Sequence, residues 1–405
     1  MPRLAPVTNA TERPVDAIAA LYGPADMAKL RVVVLGAGFG GLELATRLSE
    51  SAAEHVDITL IDKNDAFVFG FSKLDVMFGR TTLADVRAPY REIDKAAVTF
   101  RQETVTAIDP AAKRVTTDRA TYAADVLVIA LGADLDPAAT PGLIEGGHEF
   151  YSMAGAAGLA PVLGGFESGH AVIGVMGTPY KCPPAPAETA LMLHDYLVER
   201  GRRSAVEISI VSPLPTPVPP SPDTSKALLA AFAEREIRYV GSSTVASLDP
   251  GGSTATLHTG EEMGYDLFLG VPLHRAPRVV IESGLADANG WINVEPTTLA
   301  TDHPDVYALG DVANAPVPRA GVFAERAAGV VADRILAQIY GGEVAPYDGY
   351  GMCYIEFGSG NVGRVEVTFI TANGPQGGPF TAPSPLLAVE KENFGTSRLH
   401  RWFGR

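Results

Sequence analysis

Leu30-Arg31-Val32-Val33-Val34-Leu35 runs directly into Gly36-Ala37-Gly38-Phe39-Gly40-Gly41, and this junction decides the fold class. The unbroken apolar run reads as a buried parallel strand. The glycine turn opens a helix through about Ser49, with Leu42, Leu44, Ala45 and Leu48 as its apolar face. Each glycine has a reason: Gly36 permits the tight turn, Gly38 lets a pyrophosphate approach the backbone, and Gly41 lets the helix pack on the strand. Phe39 and Gly40 complete the turn, whose free N–H groups sit at a positive helix end. The next strand, Asp57-Ile58-Thr59-Leu60-Ile61, ends on Asp62 at the distance expected of a ribose-binding acid. A dinucleotide site is the reading.

Two further apolar strands end in glycine, Asp125 to Gly132 and Asp305 to Gly310, the second followed by Asp311. With the first turn they resemble the flavoprotein disulfide-reductase superfamily, whose members carry two dinucleotide-binding folds. The resemblance implies FAD in the first fold, Asp311 at the ribitol, and a helix beginning at Gly321-Val322-Phe323 whose N-terminal amides meet the flavin pyrimidine. A helix N-terminus suits the negative charge of a reduced flavin.

A second dinucleotide-like unit spans about residues 154–270. Its first strand is His170 to Gly177, its helix Ala187 to Glu199, and its second strand Val206 to Val211. Two features argue against nicotinamide binding there. The turn from Gly177 to Pro186 lacks the glycine fingerprint and holds Pro179, Pro183, Pro184 and Pro186, which have no N–H to offer a pyrophosphate. The second strand ends on Ser212 instead of an acid. It runs into Pro213, Pro215, Pro217, Pro219, Pro220 and Pro222, which predict a stiff polyproline-like loop.

The chain has only two cysteines, Cys182 and Cys353. Cys182 follows Lys181 just before a helix, a position that favours the thiolate; Cys353 sits near the start of a strand. Both also fit the alternative of small buried hydrophobes. C-x-x-C spacing is absent and the histidines are scattered, so no metal site is expected.

Lys181-Cys182-Pro183-Pro184-Ala185-Pro186-Ala187-Glu188, the segment Gly351 to Phe357 around Cys353, and Pro318 to Glu325 resemble sulfide:quinone oxidoreductases and the flavoprotein subunit of flavocytochrome c sulfide dehydrogenase. The resemblance covers about residues 30–405. It implies a redox disulfide or polysulfide bridge between the cysteines. Cys353 is then the flavin-proximal thiol that attacks the ring, Cys182 the exchange partner that carries sulfane sulfur, and Glu188 an acid that manages protons. As a bare residue, Glu188 reads equally as a carboxylate complementing the helix dipole. This chain lacks the third cysteine of many members, has prolines where a histidine often follows the nested second strand, and has Arg319 in place of the usual lysine. FAD is accordingly expected to be non-covalent.

Composition bounds the rest. With 405 residues, 46% hydrophobic, the chain can bury a large core; a net charge of −15 without a basic run excludes nucleic acid. No stretch of about 18 apolar residues and no secretory signal is present, which reads as a cytoplasmic protein. Residues 1–29 read as an N-terminal extension with one short helix around Val15 to Tyr22, and Met27 is an alternative start. Near the other end, Phe394, Leu399, Trp402 and Phe403 alternate with Lys391, Arg398, Arg401 and Arg405. That mixture suggests an interfacial tail docking on an anionic membrane at the inner face of the cell membrane.

The expected architecture is therefore α/β with two Rossmann-like domains of FAD/NAD(P)-linked reductase type. A discontinuous FAD domain covers residues 30–153 and 271–345, the nested domain 154–270, and a C-terminal segment, 346–405, closes over the flavin. The expected activity is oxidation of sulfide, or a related small sulfur nucleophile, with electrons passed to a quinone or a soluble redox partner. An oligomer is compatible with the sequence. The alternatives are a type II NADH:quinone oxidoreductase and a flavin-binding redox sensor or scaffold without turnover.

Overall fold

The computed structural model describes residues 28–404. The helix expected around Val15 to Tyr22 and the alternative start at Met27 lie outside them. Leu30–Leu35 forms the central strand of a five-stranded parallel sheet, flanked by Val56–Asp62 and then Val98–Gln102 on one side, and by Val126–Ile129 and then Val306–Ala308 on the other. Strand order thus reverses at the carboxyl end of Leu30–Leu35, where ligands bind in open parallel sheets. The turn there is built as the sequence predicts. Gly36 adopts φ +96°, and a Cβ at Gly41 would stand 1.9 Å from the Gly36 carbonyl oxygen, so the Phe39–Ala52 helix can lie on the strand only with glycine at Gly41.

The second parallel sheet has the order His148–Glu149, Leu267–Val271, Gly169–Val175, Val206–Val211 and Ile237–Val240. Its edge strand precedes residue 154, because His148 and Glu149 pair with Leu269 and Gly270. Residues 213–220 are a succession of bends and turns, not an extended polyproline rod. Local hydrogen bonds curl them: Val218 N donates to Ser225 Oγ, Ser221 N to Val218 O, and Tyr239 Oη and Ser242 N to Leu214 O.

The C-terminal segment is a three-stranded antiparallel sheet, Tyr350–Gly358, Asn361–Thr368 and Gln376–Ser384, followed by the helix Pro385–Phe403. This helix corrects the interfacial reading of the tail. Trp402 is fully buried against Phe39, Phe67 and Phe69, with ring centroids 5.5–6.1 Å apart, and its indole N–H donates to Glu43 at 3.0 Å. Phe403 is also buried. Three of the four basic residues are spent internally, Arg401 pairing with Glu43 and Glu50, Arg398 with Glu325 at 2.7 Å, and Lys391 with Glu356 at 2.6 Å, while Arg405 lies outside the described residues. An amphipathic pattern states that one face is apolar, not whether protein or lipid covers it. Among the described residues no helix is long and apolar enough to cross a membrane.

Trp402 is consequently a core residue of the first domain. Trp402→Ala should cost about 3–5 kcal/mol of stability, read as a lowered denaturation midpoint. A cost under about 1 kcal/mol, the usual range for surface changes, would show that the helix end is not docked.

Candidate functional site

One cavity of about 790 Å³ opens at the carboxyl end of the first sheet, and both domains and the C-terminal sheet contribute to its wall. Gly36, Gly38, Phe39, Gly40, Asp62, Gly132, Gly310, Asp311, Gly321, Val322 and Phe323 all line it, as do Cys182, Glu188 and Cys353. Of the residues singled out from sequence, only Gly41 stands behind the wall, under the turn.

The glycine turn suits a pyrophosphate on two counts. The amides of Gly38, Phe39, Gly40 and Gly41 donate to no protein group among the described residues, as the first turn of a helix requires. A Cβ at Gly38 would meet no protein atom within 4 Å, so packing does not demand glycine there while a ligand against the backbone would. Asp62 accepts from Ala37 N at 2.8 Å and from Asn64, which holds its carboxylate at the cavity edge. The helix Gly321–Tyr340 leaves the Gly321 and Val322 amides without protein partners among the described residues. Burial pushes the Asp311 carboxyl upward, against the opposing pull of Lys181, Arg319 and Lys73.

The nested domain offers much less to a second dinucleotide. The helix Ala185–Glu199 begins behind Pro183 and Pro184; Pro186 has no N–H, Ala185 N donates to Cys182 O, and Glu188 N donates to Pro184 O. The curled loop 213–220 sends Leu214, Pro217, Val218, Pro219 and Pro220 into the cavity wall.

Cys182 sits in a left-handed conformation, φ +48°, anchored by its N–H to Arg319 O at 2.7 Å. It stands exposed to the cavity. Burial within the surrounding protein, then Glu188 and Cys353, push its thiol up. The thiolate-favouring reading of its position is thereby corrected: Pro183 and Pro184 separate it from the helix end, while burial and then the Glu188 carboxylate disfavour its charged form. Cys353, on the strand Tyr350–Gly358, has its thiol pushed to about 12 by burial and then by Glu188.

Glu188 lines the cavity with both cysteines, acts on both thiols and is 4% exposed. Its Oε1 accepts from Glu356 N at 3.0 Å, and burial lifts its carboxyl to about 7 despite Lys391. Lys391 lies 5.0 Å from the Phe71 ring centroid and, with Met352, Tyr354, Phe369 and Phe394, forms a wall with one cation set in apolar side chains. Sequence reasoning missed Lys73, Tyr151 and the inward role of Lys391, since isolated lysines carry no spacing signal. Among the described residues no group of acids, histidines and cysteines could hold a metal.

Against known proteins, residues 30–328 match the family described as pyridine nucleotide-disulphide oxidoreductase. The mitochondrial sulfide:quinone oxidoreductase of Mus musculus is 26% identical over 348 residues, 82% of this chain and 76% of that protein. Demethylphylloquinone reductase NdbB of Synechocystis is 34% identical over 192 residues, 44% of this chain and 46% of that protein. Among solved structures, the sulfide:quinone oxidoreductase of Aquifex aeolicus superposes with a TM-score of 0.83 at 23% identity, covering 93% of this chain and 92% of that one.

Glu188 yields a signed prediction. An acid whose pKa is raised to about 7 in the folded state contributes most below the unfolded value and loses that contribution as pH rises through about 7. Wild type should therefore lose a few kcal/mol relative to Glu188→Gln between about pH 4.5 and 8, read from urea midpoints of both proteins. Wild type gaining on the variant as pH rises would contradict the placement.

Proposed function

The chain belongs to the pyridine nucleotide-disulphide oxidoreductase family, and from that premise we propose that it is an FAD-dependent sulfide oxidoreductase that delivers electrons to a quinone. The observation that carries the reading is that Cys182 and Cys353, far apart in sequence, share with the glycine turn, Asp311 and the Gly321–Tyr340 helix the wall of a single cavity. The activity named for the mouse relative supports the same pair of substrates.

FAD would be held by the Gly36 to Gly41 turn at the pyrophosphate, Asp62 at the adenosine ribose, Gly132 and Gly310 where the backbone lies close, Asp311 at the ribitol, and the Gly321-Val322-Phe323 amides at the pyrimidine. It is held non-covalently, since both cysteines are committed to the reaction. When bound, it supplies the two-electron acceptor for the cysteine pair and the relay to the quinone.

The remaining chemistry belongs to the chain. An upward push on both thiols makes them poor free nucleophiles and suits them to a disulfide, which carries no charge. HS⁻ attacks Cys182 Sγ, the S–S bond breaks, Cys353 leaves as a thiolate, and Cys182 retains the new sulfur as a persulfide. Glu188, near neutrality, accepts the persulfide proton. A second sulfur nucleophile then removes the sulfane sulfur and leaves the Cys182 thiolate; loss of two electrons from the thiolate pair restores the disulfide. On the acceptor side, Met352, Tyr354, Phe369 and Phe394 suit an apolar ring, and Lys391 can hydrogen-bond its oxygen. A quinone is a membrane solute, and Leu386 and Val389, 69% and 52% exposed, are the apolar residues of the last helix left to meet a membrane.

Anaerobic rapid mixing tests this reading. Sulfide should bleach the flavin of the wild type within the mixing experiment, while Cys353→Ser, which retains the whole FAD turn, should bind FAD and stay oxidised. NADH and NADPH should leave the flavin oxidised, because Pro183, Pro184 and Pro186 deny a pyrophosphate its amides. Stoichiometric bleaching by NADH would move the assignment to a type II NADH:quinone oxidoreductase, and bleaching by neither donor to a sensor.

A further inference from the structure

Three cations, Lys73, Lys181 and Arg319, line the cavity, and none of them makes an ion pair among the described residues. Lys73, from the short helix Ser72–Met77, donates to Tyr151 O at 2.6 Å; Lys181 donates to Ala133 O at 3.1 Å; Arg319 donates to Asp311 O at 2.8 Å and lies 3.8 Å over the Trp291 ring. Every one of these hydrogen bonds ends on a backbone carbonyl, so it orients the cation without neutralising it. Their positive charge is felt by the titratable groups around them. Lys73 is drawn down to about 8 by burial and then by Lys181, and His274 to about 3 by burial and then by Lys181, with Arg319 and Lys73 adding to it.

The nearby carboxylates do not balance them. Glu149, which accepts from the Tyr151 and Ser152 amides and the Ser152 hydroxyl, and Asp311 are two acids against three cations, and neither forms an ion pair with any of them. In a chain of net charge −15, a local positive surplus runs against the composition. A partly desolvated cluster of like charges is unfavourable unless a negative charge occupies the space between them.

Reduction of a flavin supplies such a charge, since two electrons and one proton leave the ring with one net negative charge. Resting on the flavin reading above, we propose that Lys73, Lys181 and Arg319 form a cationic cradle that stabilises the reduced, anionic flavin, with Lys73 as the residue that sets its potential. The electrons come from the cysteine pair and leave to the quinone, so the cradle alters the driving force of both steps without touching sulfur. Lys73 acts here as a positioning charge. It makes the flavin a stronger oxidant of the thiolates, which burial already holds in a high-energy state.

The test is the midpoint potential of the bound flavin, measured on holoprotein by equilibrium with a reference dye. Lys73→Met should shift the equilibrium toward oxidised flavin by at least tenfold, about 30 mV for a two-electron couple. Lys73→Arg, which keeps the charge, should stay within threefold of wild type, and so should Lys226→Met, which removes an exposed lysine outside the cavity. Lys181→Met is the second probe and should shift in the same direction. An unchanged potential in both Lys73→Met and Lys181→Met holoprotein overturns the cradle while leaving the flavin reading intact, and so does an equal shift in Lys226→Met. Failure of the wild type to take up FAD at all overturns both.

Discussion

Two carboxylates on one helix hold the site together. Glu188 and Asp195 stand seven residues apart, two turns of the Ala185–Glu199 helix and hence on the same face. Each accepts a backbone N–H from the C-terminal hairpin: Glu188 from Glu356 at 3.0 Å and Asp195 from Ser359. The hairpin turn passes so close that a Cβ at Gly358, where φ is +82°, would come within 2.7 Å of the Asp195 carboxylate. The strand docked in this way carries Cys353, and the turn leading into the helix carries Cys182. Proximity of two cysteines so distant in sequence is therefore a consequence of backbone hydrogen bonds made by acids, which fix a strand more sharply than apolar packing alone can.

The same docking gives Glu188 two roles. As a buried carboxylate it is costly unless satisfied, and the Glu356 amide and Lys391 supply the compensation. The compensation is incomplete, which leaves its carboxyl raised to about 7 in the cavity it shares with both thiols. Lys391 is itself held by Glu356 at 2.6 Å, so Glu188 and the cation at the apolar wall belong to one hydrogen-bonded unit. The carboxyl of Glu188 and the cation at the apolar wall are thus coupled through Glu356 and the last helix.

Much of this was legible in the sequence, for identifiable reasons. The strand, glycine turn and helix at Leu30 to Ser49 were readable because the constraint is local: only glycine fits at Gly36 and Gly41, and the apolar period changes at the turn. The shortage of N–H donors in the turn from Gly177 to Pro186 was readable because proline lacks an N–H wherever it is placed. The tail was misread, since Trp402 and Arg401 find their partners Phe39 and Glu43 more than 350 residues away, and nothing local marks which apolar face meets protein. The direction of the Cys182 shift was missed for a related reason. Its sequence neighbours are a lysine and a helix start, whereas Glu188 and the burying protein act on it through the fold. Lys73 left no mark at all, because what sets it apart is being one of three cavity cations that form no ion pair among the described residues.

The central claim is that Cys182 and Cys353 form a redox couple in electronic contact with the flavin. Anaerobic reductive titration of the purified holoprotein, with the flavin spectrum followed against reductant added, tests it most directly. Two electron pairs taken up per flavin, with one of the pairs lost in Cys353→Ser, is the expected result. Uptake of a single pair by wild type and variant alike would mean that the cysteines hold no exchangeable electrons and that the cavity is a flavin site without a disulfide.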